Sequence, residues 1–204
     1  MGDLANLKPG ILIAGILLLG LVVVPLVRMV QRRRLQPLEP IFEPGTFRLA
    51  GFAPVWAEGR VEGYPCRYRV VDRGKNSPGG ARLELGVVAP FPWHASPANV
   101  LTRALANVGV MRDLEIGDPQ LDERLRFTAA EPERLAGQFR VDTAREALRR
   151  LAGGEAFAGI GTSDGALSVR WQPRRRGIDE NPEAVRRRIS ETIGVATALS
   201  YAPR

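Results

Sequence analysis

Seventeen consecutive residues, Ile11 to Val27, carry no charge, and thirteen of them are Leu, Ile or Val. That run constrains the chain more than any other feature. At about 1.5 Å per residue, a helix from Ile11 to Val30 spans roughly 30 Å, about one hydrocarbon core. Each Leu, Ile or Val contributes about −0.3 to −0.6 kcal/mol to insertion. Pro25 lies one turn from the end, where a lost backbone bond is tolerated. A buried core helix would need a polar face, and the run, which includes Ile11, Leu18, Val24 and Val27, shows none. The run predicts a transmembrane helix over 9–30.

Orientation follows from the flanks. Arg28, Arg32, Arg33 and Arg34 follow the apolar run, against Lys8 and Asp3 before it. Short basic flanks resist translocation, so this side is expected in the cytoplasm, contacting lipid headgroups. Residues 1–8 then form a short outer N-terminus. A cleavable signal would need a basic leader and small residues after the apolar run; the leader offers Lys8 against Asp3, and the run ends in VRMVQRRR instead. The expected location is the bacterial cytoplasmic (inner) membrane, with membrane lipid as one partner.

The net charge is +7. Residues 1–34 supply five basic groups against Asp3, or +4, leaving +3 for the rest. The basic excess therefore sits where topology needs it, which argues against nucleic acid as a partner. One cysteine, Cys66, excludes an intrachain disulfide, and one Cys with one His, His94, cannot close a Cys/His zinc site. No metal or cofactor motif is present: Gly159 to Gly165 lacks both dinucleotide-loop spacing and a Walker lysine.

Beyond the span, Pro37, Pro40 and Pro44 mark 31–45 as a basic, Pro-rich, extended linker. The remainder, 46–204, is expected to be one cytoplasmic α+β domain, an antiparallel sheet with packed helices, leaving open a division near 94–112. Period-two alternation predicts strands at Pro65–Asp72 and Ala81–Ala89, joined through RGKNSPGG. Shorter strands are expected at Thr46–Ala50 and Val55–Glu62. Phe91 to His94 should close that sheet, with Ser96 capping a helix begun by Pro97. Leu114/Ile116 and Leu125/Phe127 read as strands around a Gly117-Asp118-Pro119 turn. Helices are expected at Pro132–Phe139 and Thr143–Leu151, the second capped by Asp142. A hairpin around Ser163-Asp164-Gly165 follows, then a final helix capped by Asn181 with Val185, Ile189, Ile193, Ala196 and Leu199 on one face.

No catalytic constellation stands out. His94 has no nucleophile placed beside it in any recognised motif. Asp118, Asp122 and Glu123 lack calcium-loop spacing, and turn and cap duties account for them. Two basic groups, Arg174–Arg175–Arg176 and Arg186–Arg187–Arg188, read as a solvated face, with anionic headgroups as the alternative contact.

The run LEIGDPQLDERLRFTA, with Gly117, Asp118, Pro119 and Asp122 followed by Glu131-Pro132, resembles the signature of a bacterial family of uncharacterised, single-pass, membrane-anchored α+β domains. Leu121 and Leu125 stand where that family tends to carry Phe. The resemblance spans roughly residues 51–198. It implies an anchored domain and transfers no catalytic residue. The functional expectation is a non-enzymatic accessory or structural subunit of a membrane complex, hetero-associating rather than self-pairing, because small-xxx-small spacing in the span is sparse. The alternatives are a tethered enzyme of unfamiliar type, or a module binding anionic lipid or nucleic acid.

Overall fold

The computed structural model describes residues 23, 25–51, 54–71, 79–98, 114–154, 156–172 and 178–204. Most of the expected span, including Ile11, Leu18 and Val24, lies outside them, as do the expected helix after Pro97 and Arg174–Arg176. Among the described residues, no helix is long and apolar enough to cross a membrane.

Residues 25–35 form a helix, α1. It runs directly into a 3-10 helix over Gln36–Ile41, with Pro37 in its first turn. Leu35, Leu38, Ile41 and Phe42 are all buried in the core. The expectation of an extended linker therefore does not hold. Its prolines are compatible with the tight 3-10 turn because Pro fixes φ near the helical value and needs no N–H at a helix start. Two further contacts join this segment to the body: Arg34 pairs with Glu180, and the Val55 N–H donates to Gln31 Oε1 at 3.2 Å.

The strands are β1 (Arg48–Ala50), β2 (Trp56–Val61), β3 (Tyr64–Val71), β4 (Gly80–Val88), β5 (Trp93–Pro97), β6 (Leu125–Ala129), β7 (Phe157–Ser163), β8 (Ala166–Trp171) and β9 (Ala202–Pro203). Their order is β1-β2-β3-β4-β8-β7-β5-β6, with β9 also paired to β4, and every pairing is antiparallel. The class is α+β, as the alternating segments require. Sequence-adjacent strands pair at β1–β2, β2–β3, β3–β4 and β7–β8, while β4–β8, β5–β7, β5–β6 and β4–β9 join strands distant in the chain. At the β7–β8 turn, Asp164 (φ 50°) and Gly165 (φ 73°) take the left-handed conformation that such two-residue turns demand.

Alternation puts Tyr64, Cys66 and Tyr68 of β3, and Leu83, Leu85 and Val87 of β4, on one buried face. Helices α2 (Pro119–Arg124), α3 (Pro132–Gln138), α4 (Asp142–Gly153) and α5 (Pro182–Ala198) complete the fold, with α4 against α5 and α5 against β4. The apolar stripe expected on the last helix is the buried one: Val185, Ile189, Ile193, Ala196 and Leu199 are all within the core. Cys66 is 1 % exposed, and burial pushes its thiol pKa upward, out of reactive range.

Several local expectations change. Trp93 and His94 do not close the sheet; they open β5, which pairs with both β6 and β7. Ser96 and Pro97 sit in that strand opposite Arg126 and Leu125, so Ser96 caps no helix there. Pro97 is tolerated because it is the strand's last residue. Asp142 lies inside the first turn of α4, whose N-cap is Val141. Leu114 contributes only a single bridge, to Phe127.

Candidate functional site

Three groups of residues were candidates for function, and each has a defined place. The first is α1. Leu26, Val27, Met29 and Val30 are 41–52 % exposed, as is Val23 just before it. Arg32 and Arg33 are exposed next to them, while Arg34 turns back to Glu180. This helix leaves the domain with its apolar side chains uncovered and its cations at the junction with the body.

The second group is the Gly117-Asp118-Pro119 motif, which proves to be a helix cap. The Asp118 carboxylate accepts from the N–H groups of Gln120 and Leu121, both at 3.1 Å, at the start of α2. Asp122 accepts from the N–H groups of Ile116 (2.9 Å), Gly117 (3.1 Å) and Asp118 (3.0 Å). The two carboxylates thus hold the approach to the helix and its first turn together. Arg149 from α4 pairs with Asp118, fastening α2 to α4. Burial pushes the Asp118 carboxyl upward, but the Leu121 N–H, Arg149 and the Gln120 N–H outweigh it and hold the pKa below its ordinary value. These bonds place both carboxylates in cap and turn duties at the head of α2.

The third group is the arginine triplet of α5. Arg186 and Arg187 are exposed, and Arg186 donates to the Pro40 carbonyl oxygen at 3.2 Å. Arg188 is not part of a solvated face. It is 6 % exposed, donates to Asp179 at 2.8 Å and to the Tyr68 hydroxyl at 3.2 Å, and lies 4.9 Å from the Trp171 ring centroid. Tyr68 in turn donates to the Asp179 carbonyl oxygen at 2.8 Å. At 3.6 residues per turn the third residue of such a triplet rotates inward, and a buried cation needs the partners found here.

One surface escaped sequence reasoning. The sheet face opposite the helices carries two parallel rows of side chains. In the first, cross-strand partners run Arg48, Glu58, Arg67, Glu84, Ser168, Gly161, His94 and Thr128, from β1 to β6. Its charges alternate in sign, and Arg48 and Arg67 both bind Glu58, at 3.0 and 2.8 Å. In the second row, Arg69, Arg82 and Arg170 stand directly opposite one another on β3, β4 and β8. Alternation within each strand was visible beforehand; which arginines face each other depends on strand order, and β8 lies nearly ninety residues from β4.

His94 meets this face over β7. A Cβ on Gly161 would lie 2.5 Å from the Trp93 carbonyl oxygen and 2.9 Å from His94 Nδ1, so only glycine lets the imidazole lie against that strand. His94 Nε2 is 3.5 Å from the Arg170 guanidinium. Burial first, then Arg170, lowers the imidazole pKa from 6.5, with a backbone bond to Ile160 opposing, so the ring is neutral at pH 7. His94 contacts neither Asp118 nor Asp122, so the structure does not assemble the three into one cleft. Among the described residues, no group of three His, Cys, Asp or Glu side chains could hold a metal ion.

No protein-family model, no curated protein and no solved structure matches the chain.

Proposed function

We propose that the chain is a single-pass protein of the bacterial inner membrane, with its N-terminus outside and its α+β domain in the cytoplasm as an interaction module of a membrane complex. The observation that carries this reading is α1. It continues the uncharged run Ile11–Val27, exposes Leu26, Val27, Met29 and Val30, and follows them with Arg32 and Arg33. Four large apolar side chains on one short helix are poorly compatible with water and well matched to lipid or to an apolar partner helix. The resemblance of the Gly117–Asp122 motif to anchored bacterial domains points the same way.

A module role is favoured over catalysis because the acidic residues that could do chemistry are committed to structure. Asp118 and Asp122 hold a helix start, and Asp179 neutralises Arg188. The span is part of the proposed interface, since its side chains are Leu and Val of a kind that packs against a bulky apolar helix. Replacing Ile11–Val27 by an unrelated apolar helix of equal length tests this. After detergent extraction, the wild-type chain should recover membrane-protein partners that the exchanged chain recovers at several-fold lower yield. Equal recovery by both would remove the span from the interface.

A further inference from the structure

The second row of the open sheet face has more positive charge than its neighbours neutralise. Directly opposed like charges on a sheet are destabilising, and here three arginines adjoin across β3, β4 and β8. The adjacent row, on the same strands, shows how the face handles charge elsewhere: its arginines alternate with Glu58 and Glu84. Among the described residues, no carboxylate pairs with Arg69 or Arg170, and Glu84 holds Arg82 at 2.9 Å while also facing Arg67 at 3.8 Å. Arg69 is stacked on Trp56, 4.5 Å from the ring centroid. The Nε groups of Arg69 and Arg82 are shut off from water with no hydrogen-bond acceptor. An N–H left so is costly, and it costs less once an acceptor draws the guanidinium toward it.

Between Arg82 and Arg170 the face is concave. A hollow of about 230 Å³ is bounded by these two arginines, His94, Gly161 and Ser168. Glycine at position 161 lets the His94 imidazole lie against β7, where it forms one wall of the hollow. Two guanidinium groups offer fork-shaped donors that match tetrahedral oxyanions, and Ser168 adds a hydroxyl. Arg82 and Arg170 have one carboxylate, Glu84, between them, and Arg69 adjoins them in the row, so uncompensated positive charge remains for an anion such as a phosphate group. The volume admits one or two phosphoryl groups.

We propose that Arg82 and Arg170, with His94 and Ser168 at the rim, form a binding site for a phosphate group, carried either by a soluble phosphate ester or by a lipid headgroup. The site stands on the sheet geometry and does not depend on the membrane reading above. Arg69 extends the row and raises the local potential without lining the hollow.

Pyrophosphate titrated into the full chain in neutral detergent, followed by calorimetry, tests the site. One saturable site is expected for wild type. Arg170→Gln and Arg82→Gln should each weaken it tenfold or more, and Arg48→Gln, on the same face but paired with Glu58, should leave it unchanged. Arg170 is exposed, so its variant remains folded even where Arg82→Gln does not, as a thermal melt will show. A parallel titration with short-chain phosphatidate distinguishes the sources: tighter binding than pyrophosphate assigns the site to a headgroup, and weaker binding to a soluble ester. No saturable binding of either probe would overturn the proposal. So would wild-type affinity in Arg170→Gln, or equal losses in all three variants, which would mean diffuse charge.

Discussion

Buried charge is where single side chains matter most in this molecule. Arg188, Asp179 and Tyr68 form one closed network beneath Trp171. Removing the cation leaves Asp179 desolvated and alone, so Arg188→Ala should cost about 3–5 kcal/mol in denaturant unfolding. Arg188→Met combined with Asp179→Leu should recover most of that loss, because an apolar pair of similar volume needs no partner. Asp118 sets a pH dependence of known sign. Its folded pKa lies below its ordinary 3.8, so its contribution is fully present above that value and disappears as pH falls through the depressed folded value. Acid unfolding followed by circular dichroism should show wild type losing stability below about pH 4. Asp118→Asn should already be weaker at pH 7 by about 2 kcal/mol, from the lost cap and charge-assisted bonds, and should lose less on acidification.

At the scale of elements, periodicity made some of the fold legible and sequence-distant pairing hid the rest. The β3–β4 hairpin, the β7–β8 hairpin and the stripe of α5 follow from alternation, an Asp-Gly turn and 3.6-residue spacing, and all three are present. The 3-10 helix of Gln36–Ile41 was hidden because its prolines read equally well as extended chain, and burial of Leu38 is decided by contacts with β2 and α5. Arg188 misled because a triplet of arginines looks like surface until the helix phase and Asp179 are known. The open-face row was invisible for the same reason: its members come from β3, β4 and β8. The element most at odds with the sequence reading also gives a clear test. If 36–41 is core and not tether, Leu38→Ala should cost about 2–5 kcal/mol, measured by chemical denaturation, whereas a free linker would tolerate it within about 0.5 kcal/mol.

For the whole molecule, the consequence of that element is mechanical. Helix α1 passes into the 3-10 helix, Arg34 grips Glu180, and Arg186 reaches the Pro40 carbonyl. With 11–30 in the bilayer, the domain would be held close to the membrane at a set angle instead of swinging on a tether. A fixed presentation suits a subunit that must meet a neighbouring membrane protein with its span and its domain together. Orientation then rests on few charges, since Arg34 is already committed to Glu180. Neutralising Arg32 and Arg33 should shift a measurable fraction of molecules to the inverted topology.

The side of the membrane on which Arg204 lies tests the proposed anchoring and orientation together. Alkaline phosphatase, active only outside the cytoplasm, and a fluorescent protein that matures only within it can each be fused after Arg204 and compared in a bacterial host. An anchored domain on the cytoplasmic side gives a membrane-bound fusion with an inactive phosphatase and a bright fluorescent partner. Active phosphatase with no fluorescence, or fusions that stay fully soluble after cell breakage, would contradict it.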